Sequence, residues 1–200
     1  MTLAKVHKKS ILKIDRLGPK RLAPILQWQT EAQFSESLDY TASILYDDAM
    51  RILQLKEDIK RLTEQIDALI PASNIARVIK TIPGFSTVSA GTLAGEIDTL
   101  SRFAGESSLA LYLGMTNLDN SSGKQKRSKR NMATNRNAKT AMITATMKHA
   151  QHVEESKIYI EKKISQGKNY QQAIRALGRH MVRVIWSMIQ KDRDYEIMEK

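Results

Sequence analysis

The string LDYTASILYDDAMRILQLKEDIKRLTEQIDALIP, residues 38–71, carries the most regular hydrophobic period in the chain. Leu38, Leu45, Ile52, Ile59 and Ile66 recur every seventh residue, and Leu55, Leu62 and Leu69 follow the last three of them by three. Apolar residues at those two heptad positions form one seam along a helix. Thr41 and Asp48 interrupt the seam, and Arg51, Lys56, Glu57 and Lys60 surround it with charge. Pro71 cannot donate the amide that a further helical turn needs, so the helix stops there. A single amphipathic helix lying on its own domain would also show an apolar stripe. The seven-fold regularity favours a coiled-coil arm, within the chain or between subunits.

Outward from this arm the chain changes character on both sides. Residues 1–37 form a basic leader, and the first 21 of them set seven Lys or Arg against one acid, Asp15. Gly18-Pro19 and Pro24 allow only short helices there, and the segment reads as the remnant of an upstream domain. On the other side, residues 72–200 read as a helical domain. Residues 74–81 suit a short helix with Ile75, Val78 and Ile79 inward, and a second helix begins at Ser86 and runs through Val88, Leu93 and Ile97. Between them stands Ile82-Pro83-Gly84-Phe85, in which Pro extends the residue before it and Gly permits the positive φ of a tight turn. Ala90, Gly91 and Ala94 would let the second helix lie close to the first. Residues 74–97 thus resemble a helix-hairpin-helix, a candidate DNA contact through Pro83, Gly84, Phe85 and Ser86, in which Pro83 shapes the turn and the exposed amides of the other three could grip a backbone phosphate.

A turn around Ser101-Arg102-Phe103 and a short helix over 107–113 follow, with Leu109, Leu111, Tyr112 and Leu113 closing the core. Then comes the most cationic stretch. No acid occurs from Asn120 to Val153, while Lys124, Lys126, Arg127, Lys129, Arg130, Arg136, Lys139 and Lys148 all fall within it. Ser121-Ser122-Gly123 stands at its mouth, and the loop over 116–139 can meet a phosphodiester either to hold it or to attack it. A helix restarts near Asn135 and continues to about Glu155, with Ala138, Ala141, Met142 and Ala145 on one face. Residues 161–169 read as a polar connection, and a last helix, Tyr170–Lys191, places Ile174, Leu177, Met181, Val184 and Met188 on one face. Arg175, Arg179 and Arg183 line another strip of it, a second candidate phosphate contact. No β-strand run stands out, so the fold class is all-α: a long coiled-coil arm followed by a helical domain with a helix-hairpin-helix.

The totals narrow the chemistry. A net charge of +11 over 200 residues favours a polyanionic partner, nucleic acid before an anionic membrane surface. The absence of Cys excludes disulfides and thiolate metal sites and fits a reducing compartment, so a cytoplasmic protein with no membrane partner is expected. His149 and His152 form one i, i+3 pair with Glu154 and Glu155 near in sequence, but two polar residues late in a helix are usually exposed, and no metal ligand is assigned. Neither a Gly-rich phosphate loop nor a carboxylate cluster for a two-metal nuclease is present, so no cofactor is expected in this chain. A serine hydroxyl needs activation, and Lys124, Arg127 and Arg130 can neutralise charge without serving as a base at neutral pH. From the residues alone, the reading ends at a DNA-backbone binder with a suggestive serine.

The ordered motifs carry it further. Ile82-Pro83-Gly84-Phe85, Ala90, Leu93, Glu96-Ile97, Ser101-Arg102-Phe103, Leu109, Tyr112-Leu113-Gly114-Met115 and Ser121-Ser122-Gly123 come in a fixed sequence, continued by Asn135, Ala138-Lys139, Ala141-Met142, Ala145, Gly167-Lys168, Ala173, Ala176, Arg179, Arg183, Trp186 and Tyr195. This series, over residues 72–196, resembles the C-terminal domain of the insertion sequence 110 family of transposases, which includes the Piv-type DNA invertases. The resemblance implies a site-specific DNA recombinase in which an N-terminal RuvC-like domain bears four acidic Mg2+ ligands. The helical domain supplies a serine that becomes covalently linked to DNA. By motif that serine is Ser122, directly before Gly123, with Ser121 as the fallback. Family members work as oligomers, and several are guided by a structured RNA.

This sequence departs from the family at two places. No segment before Leu38 suits a RuvC-like fold, so Mg2+ is expected only in a partner domain. Where the family has Gly-Asn-x-x-Leu-Arg, this chain has Thr134-Asn135-Arg136-Asn137-Ala138-Lys139, which keeps the final charge but loses the bidentate fork of Arg. The expectation is the serine-bearing half of a truncated or split transposase, inactive without a RuvC-like partner. The alternative is a non-catalytic nucleic-acid-binding remnant or regulator.

Overall fold

The computed structural model describes residues 20, 23–27, 38–116, 118–119, 128–129 and 133–196. Helix α1, Leu38–Leu69, is one uninterrupted run of 32 residues, as the heptads require. Pro71 sits in the 3-10 turn Ile70–Ala72 that ends it. The chain divides into two units after Arg61. In the first, the seam of α1 lies open: Leu45, Ile52, Leu55 and Ile59 are each about half exposed or more. An apolar seam left open along one face is the surface a second helix would cover.

The second unit takes in the last two turns of α1, ten residues before the boundary read from Pro71. Ile66 packs against its core there, and Asp67 pairs with Lys80. Helix α2, Asn74–Lys80, is capped by the Ser73 hydroxyl, which accepts from the Ala76 amide at 3.3 Å. Helix α3, Thr87–Ile97, is capped in the same way by Ser86 on the Ser89 amide. These side-chain acceptors satisfy amides that the first helical turn leaves unpaired. Next come a 3-10 turn, Leu100–Arg102, and helix α4, Glu106–Tyr112. Strand β1, Leu118–Asp119, pairs antiparallel with β2, Ser128–Lys129, in register Leu118 to Lys129 and Asp119 to Ser128. A ladder of two residues leaves no strand period to read, which is why the sequence showed none.

Helix α5, Arg136–His152, is the centre of the unit, packed on α3 and on both helices that follow it. Its apolar stripe is made of small residues: Ala138 and Ala145 are fully buried with Met142 between them. Helix α6, Glu154–Ser165, was not foreseen, since the sequence reading carried the previous helix to about Glu155 and left 161–169 as a connection. The break is a single extended residue, Val153, with neither Gly nor Pro to mark it. The α6 face is also thinly apolar, burying only Ser156 and Ile160. Helix α7, Tyr170–Lys191, starts from a capping box in which Asn169 and Gln172 exchange side-chain to backbone bonds. It buries Ile174, Leu177, Met181, Val182, Ile185 and Met188, each burial being worth roughly 1.5–3 kcal/mol before entropy. Met115, Met142, Met181 and Met188 fill the core, and Met115 lies over Gly178, where an added Cβ would stand 2.4 Å from its sulfur. Among the described residues, no helix is long and apolar enough to cross a membrane.

Candidate nucleic-acid interface

The hairpin between α2 and α3 is built by its Pro-Gly pair. The Phe85 amide bonds to the Ile82 carbonyl at 3.0 Å, closing the turn, and Gly84 adopts φ +86° at the position that demands it. The same glycine lies against α5, where a Cβ would stand 2.3 Å from the His149 amide nitrogen and 2.6 Å from the Lys148 carbonyl carbon. The Phe85 ring is buried and edge-on to the His149 imidazole. Of the four hairpin residues expected to meet a phosphate, Pro83 and Gly84 are half-buried, Phe85 is committed to the core, and Ser86 is exposed. What faces outward is the start of α3. An acid already stands there: Asp67 accepts from the Thr87 hydroxyl at 2.7 Å and pairs with Lys80, and these two partners hold its carboxyl below its ordinary range. Gly91, expected to admit α2, instead faces α1, with Ile66 Cγ2 2.8 Å from where its Cβ would be.

His149 is buried, against the expectation of an exposed pair; His152 is exposed. The Nδ1 of His149 lies 2.8 Å from the Pro83 carbonyl, and its ring is edge-on to Tyr195 as well as Phe85. Burial pushes its pKa down, only partly offset by the bond to Pro83. His149 therefore fastens the hairpin to α5 as a neutral ring. Among the described residues, no three His, Asp or Glu side chains converge to hold a metal ion, so a Mg2+ site does not fit them.

The far end of α3 organises the root of the basic segment. Glu96 Oε2 accepts from Asn135 Nδ2 at 2.6 Å, and Oε1 accepts from Asn137 Nδ2 at 3.1 Å. Asn135 Nδ2 also donates to the Tyr112 hydroxyl at 2.9 Å, and that hydroxyl donates to the Glu96 carbonyl at 3.1 Å. The Asn135 amide is held by the Tyr112 carbonyl, the Thr134 hydroxyl by the Leu111 carbonyl. The Asn135 side chain caps α5 through the Ala138 amide. Arg102 closes the C-terminus of α3 by donating from Nη1 to the carbonyls of Glu96 and Ile97. The family-variant residues meet on one glycine: at Gly114, φ +67°, a Cβ would fall within 3 Å of both the Lys139 stem and the Thr134 methyl. Sequence reasoning passed over Glu96 as a site residue, although it is the one charged residue in Thr87–Ile97.

The cationic strip on α7 is partly neutralised. Arg179 pairs with Glu106 at the start of α4 and approaches the Ser107 hydroxyl at 3.4 Å, while Arg183 Nε stands 3.6 Å from the same carboxylate. Arg175 bonds back to the Gln171 carbonyl of its own helix. His180, beside them, meets the Tyr159 hydroxyl at 3.0 Å, and burial followed by the nearby cations keeps it neutral. Arg136 is exposed at the first turn of α5, and the backbone of Lys129 lies in β2. Ser121, Ser122, Lys124, Lys126, Arg127 and Arg130 lie outside the described residues. The β1–β2 pairing nonetheless sets residues 119 and 128, which flank the serine segment, side by side.

Residues 76–161 match the model of the Transposase IS116/IS110/IS902 family. The chain is also similar to an uncharacterised 43.6 kDa protein of insertion element IS110 from Streptomyces coelicolor, at 26% identity over 149 residues. That alignment takes in 74% of this chain and 37% of the relative, so the chain spans well under half of the protein it matches. Both findings support this transposase family for the segment that holds the hairpin, the Glu96 cluster and the basic stretch.

Proposed function

We propose that this chain is the DNA-binding, serine-bearing part of a transposase or site-specific recombinase, with Ser122 as nucleophile and Ser121 as fallback. The observation that carries the reading is the match over residues 76–161, because that one range contains the hairpin, the Glu96 clamp and Ser122. In the reaction the serine oxygen bonds to phosphorus as the bond from phosphorus to one sugar oxygen breaks, and that oxygen leaves with a proton. As the motif resemblance implies, an acidic RuvC-like domain acts alongside, from a longer chain or from a partner. The exposed Ser86 before α3, with Lys124, Lys126, Arg127, Lys129, Arg130, Arg136, Lys139, Arg175, Arg179 and Arg183, supplies backbone contacts. The open seam of α1 pairs with a second copy, and a structured RNA could occupy the same cationic surface.

The test is a covalent adduct. The full chain, incubated with element-end DNA and a RuvC-like domain, should give a denaturant-resistant protein–DNA species that Ser122→Ala abolishes. Failure to form it with that domain present refutes the nucleophile. The second reading, a binding module without chemistry, is favoured by the lack of a metal-ligand group among the described residues. It calls for binding that is indifferent to sequence and weakens steeply with salt, and that loses affinity about uniformly when Lys126, Arg127 or Arg130 is removed.

A further inference from the structure

Beside the Glu96 cluster is a pocket of about 280 Å3, lined by Arg102, Phe103, Ser108, Leu111, Tyr112 and Ala133. We infer that it receives one unpaired nucleobase of a bound nucleic acid, an inference that rests on the DNA reading above. The pocket lies just short of the 300–1,000 Å3 typical of drug-sized ligands, a size suited to a single planar ring system. Two of its walls are aromatic. Phe103 and Tyr112 meet edge-on with centroids 5.3 Å apart, and both are half-buried at the rim of the core, where a third ring can reach them.

The guanidinium of Arg102 stands 5.6 Å from both ring centroids. Its Nη1 is committed to the carbonyls of Glu96 and Ile97, which fixes the plane. Among the described residues its Nε and Nη2 make no hydrogen bond, so they can donate to the ring-nitrogen and carbonyl acceptors of a base edge. Aromatic and arginine planes together are the usual platform for bases outside a duplex. Charge completes the match. Ala133, one wall, stands three residues after Arg130 in sequence, so the most cationic stretch of the chain leads directly into the pocket's lining. An aliphatic ligand would use the rings but leave the guanidinium unanswered.

The experiment compares three duplexes of one length binding the full chain: fully paired, with a single-nucleotide bulge, and with the same bulge made abasic. The base-bearing bulge should bind about tenfold tighter than the abasic one, within the range for stacking one base. A 2-aminopurine in the bulge should change fluorescence on binding. Ser108→Phe, which fills the pocket from α4, should erase both effects. Equal affinity for base-bearing and abasic bulges, with the paired duplex still bound, overturns the pocket and leaves the DNA reading standing. No binding to any of the three overturns both.

Discussion

Replacing Glu96 by Ala tests whether the root of the basic segment is held as described. The substitution leaves the main-chain bonds from Arg102 and Tyr112 to the Glu96 carbonyl and removes the carboxylate's bonds from Asn135 and Asn137, along with its long 3.5 Å contact from the Tyr112 hydroxyl. Hydrogen bonds to a charged group are worth about 1.5–3 kcal/mol net. The half-buried Asn135 bond sits at about the low end of that range, because Asn135 keeps the Tyr112 hydroxyl, and the exposed Asn137 bond adds about 0.5 kcal/mol. The sum is about 2 kcal/mol. At roughly 2–4 °C per kcal/mol for a domain of this size, the melting midpoint by circular dichroism should fall by about 4–8 °C. Hydrogen exchange gives the local readout: the amides of Asn135 and Ala138, bonded to the Tyr112 carbonyl and the Asn135 side chain, should exchange about thirtyfold faster. A midpoint within about 1 °C of wild type, or unchanged protection at both amides, refutes the clamp.

Three further substitutions probe the neighbouring contacts. Gly84→Ala forces a left-handed φ on alanine and drives its Cβ into the α5 backbone, so chemical denaturation should show a loss of about 3 kcal/mol or more. For His149, burial holds the folded pKa below the ordinary 6.5, so the unfolded chain binds the extra proton first. Stability is complete above about pH 6.5 and declines as pH falls below it; His149→Asn should flatten that decline, leaving the share of His180, whose pKa is lowered too. An unaltered pH profile in the variant would refute the buried neutral ring. Glu106→Gln should cost about 1 kcal/mol while freeing Arg179 and Arg183, steepening the salt dependence of DNA binding by about one phosphate equivalent. An unchanged slope would take both arginines out of the interface.

Where periodicity alone decides, the chain could be read. The heptads of α1 stop where Pro71 says they must, and α7 begins at the Asn169 cap and buries four of the five residues of the stripe it displays, Val184 being half-buried. Where a partner far along the chain decides, the sequence was silent. His149 looked exposed because nothing near it announces a carbonyl 66 residues upstream at Pro83. Gly91 looked like a contact to α2 because the approaching Ile66 belongs to a helix assigned wholly to the arm. Helix α6 was missed because its start is one extended valine rather than a breaker. For the candidate site, residue types and order suggest a phosphodiester contact, while the contacts of Glu96, Tyr112 and Arg102 with one another come only from three-dimensional proximity.

Helix α3 joins the two features that matter most, with the hairpin at its first turn and Glu96 in its last. Eleven residues at 1.5 Å rise make a rod of about 16 Å. Because it is packed on α2 and α5 along its length, that separation is a fixed gauge. In the proposed reading the phosphate held at Ser86 and the strand meeting the basic segment are spaced by this rod, about five base steps of 3.4 Å along one strand. Adding or removing one residue of α3 would shift the spacing by half a step and swing Glu96 about 100° away from Asn135.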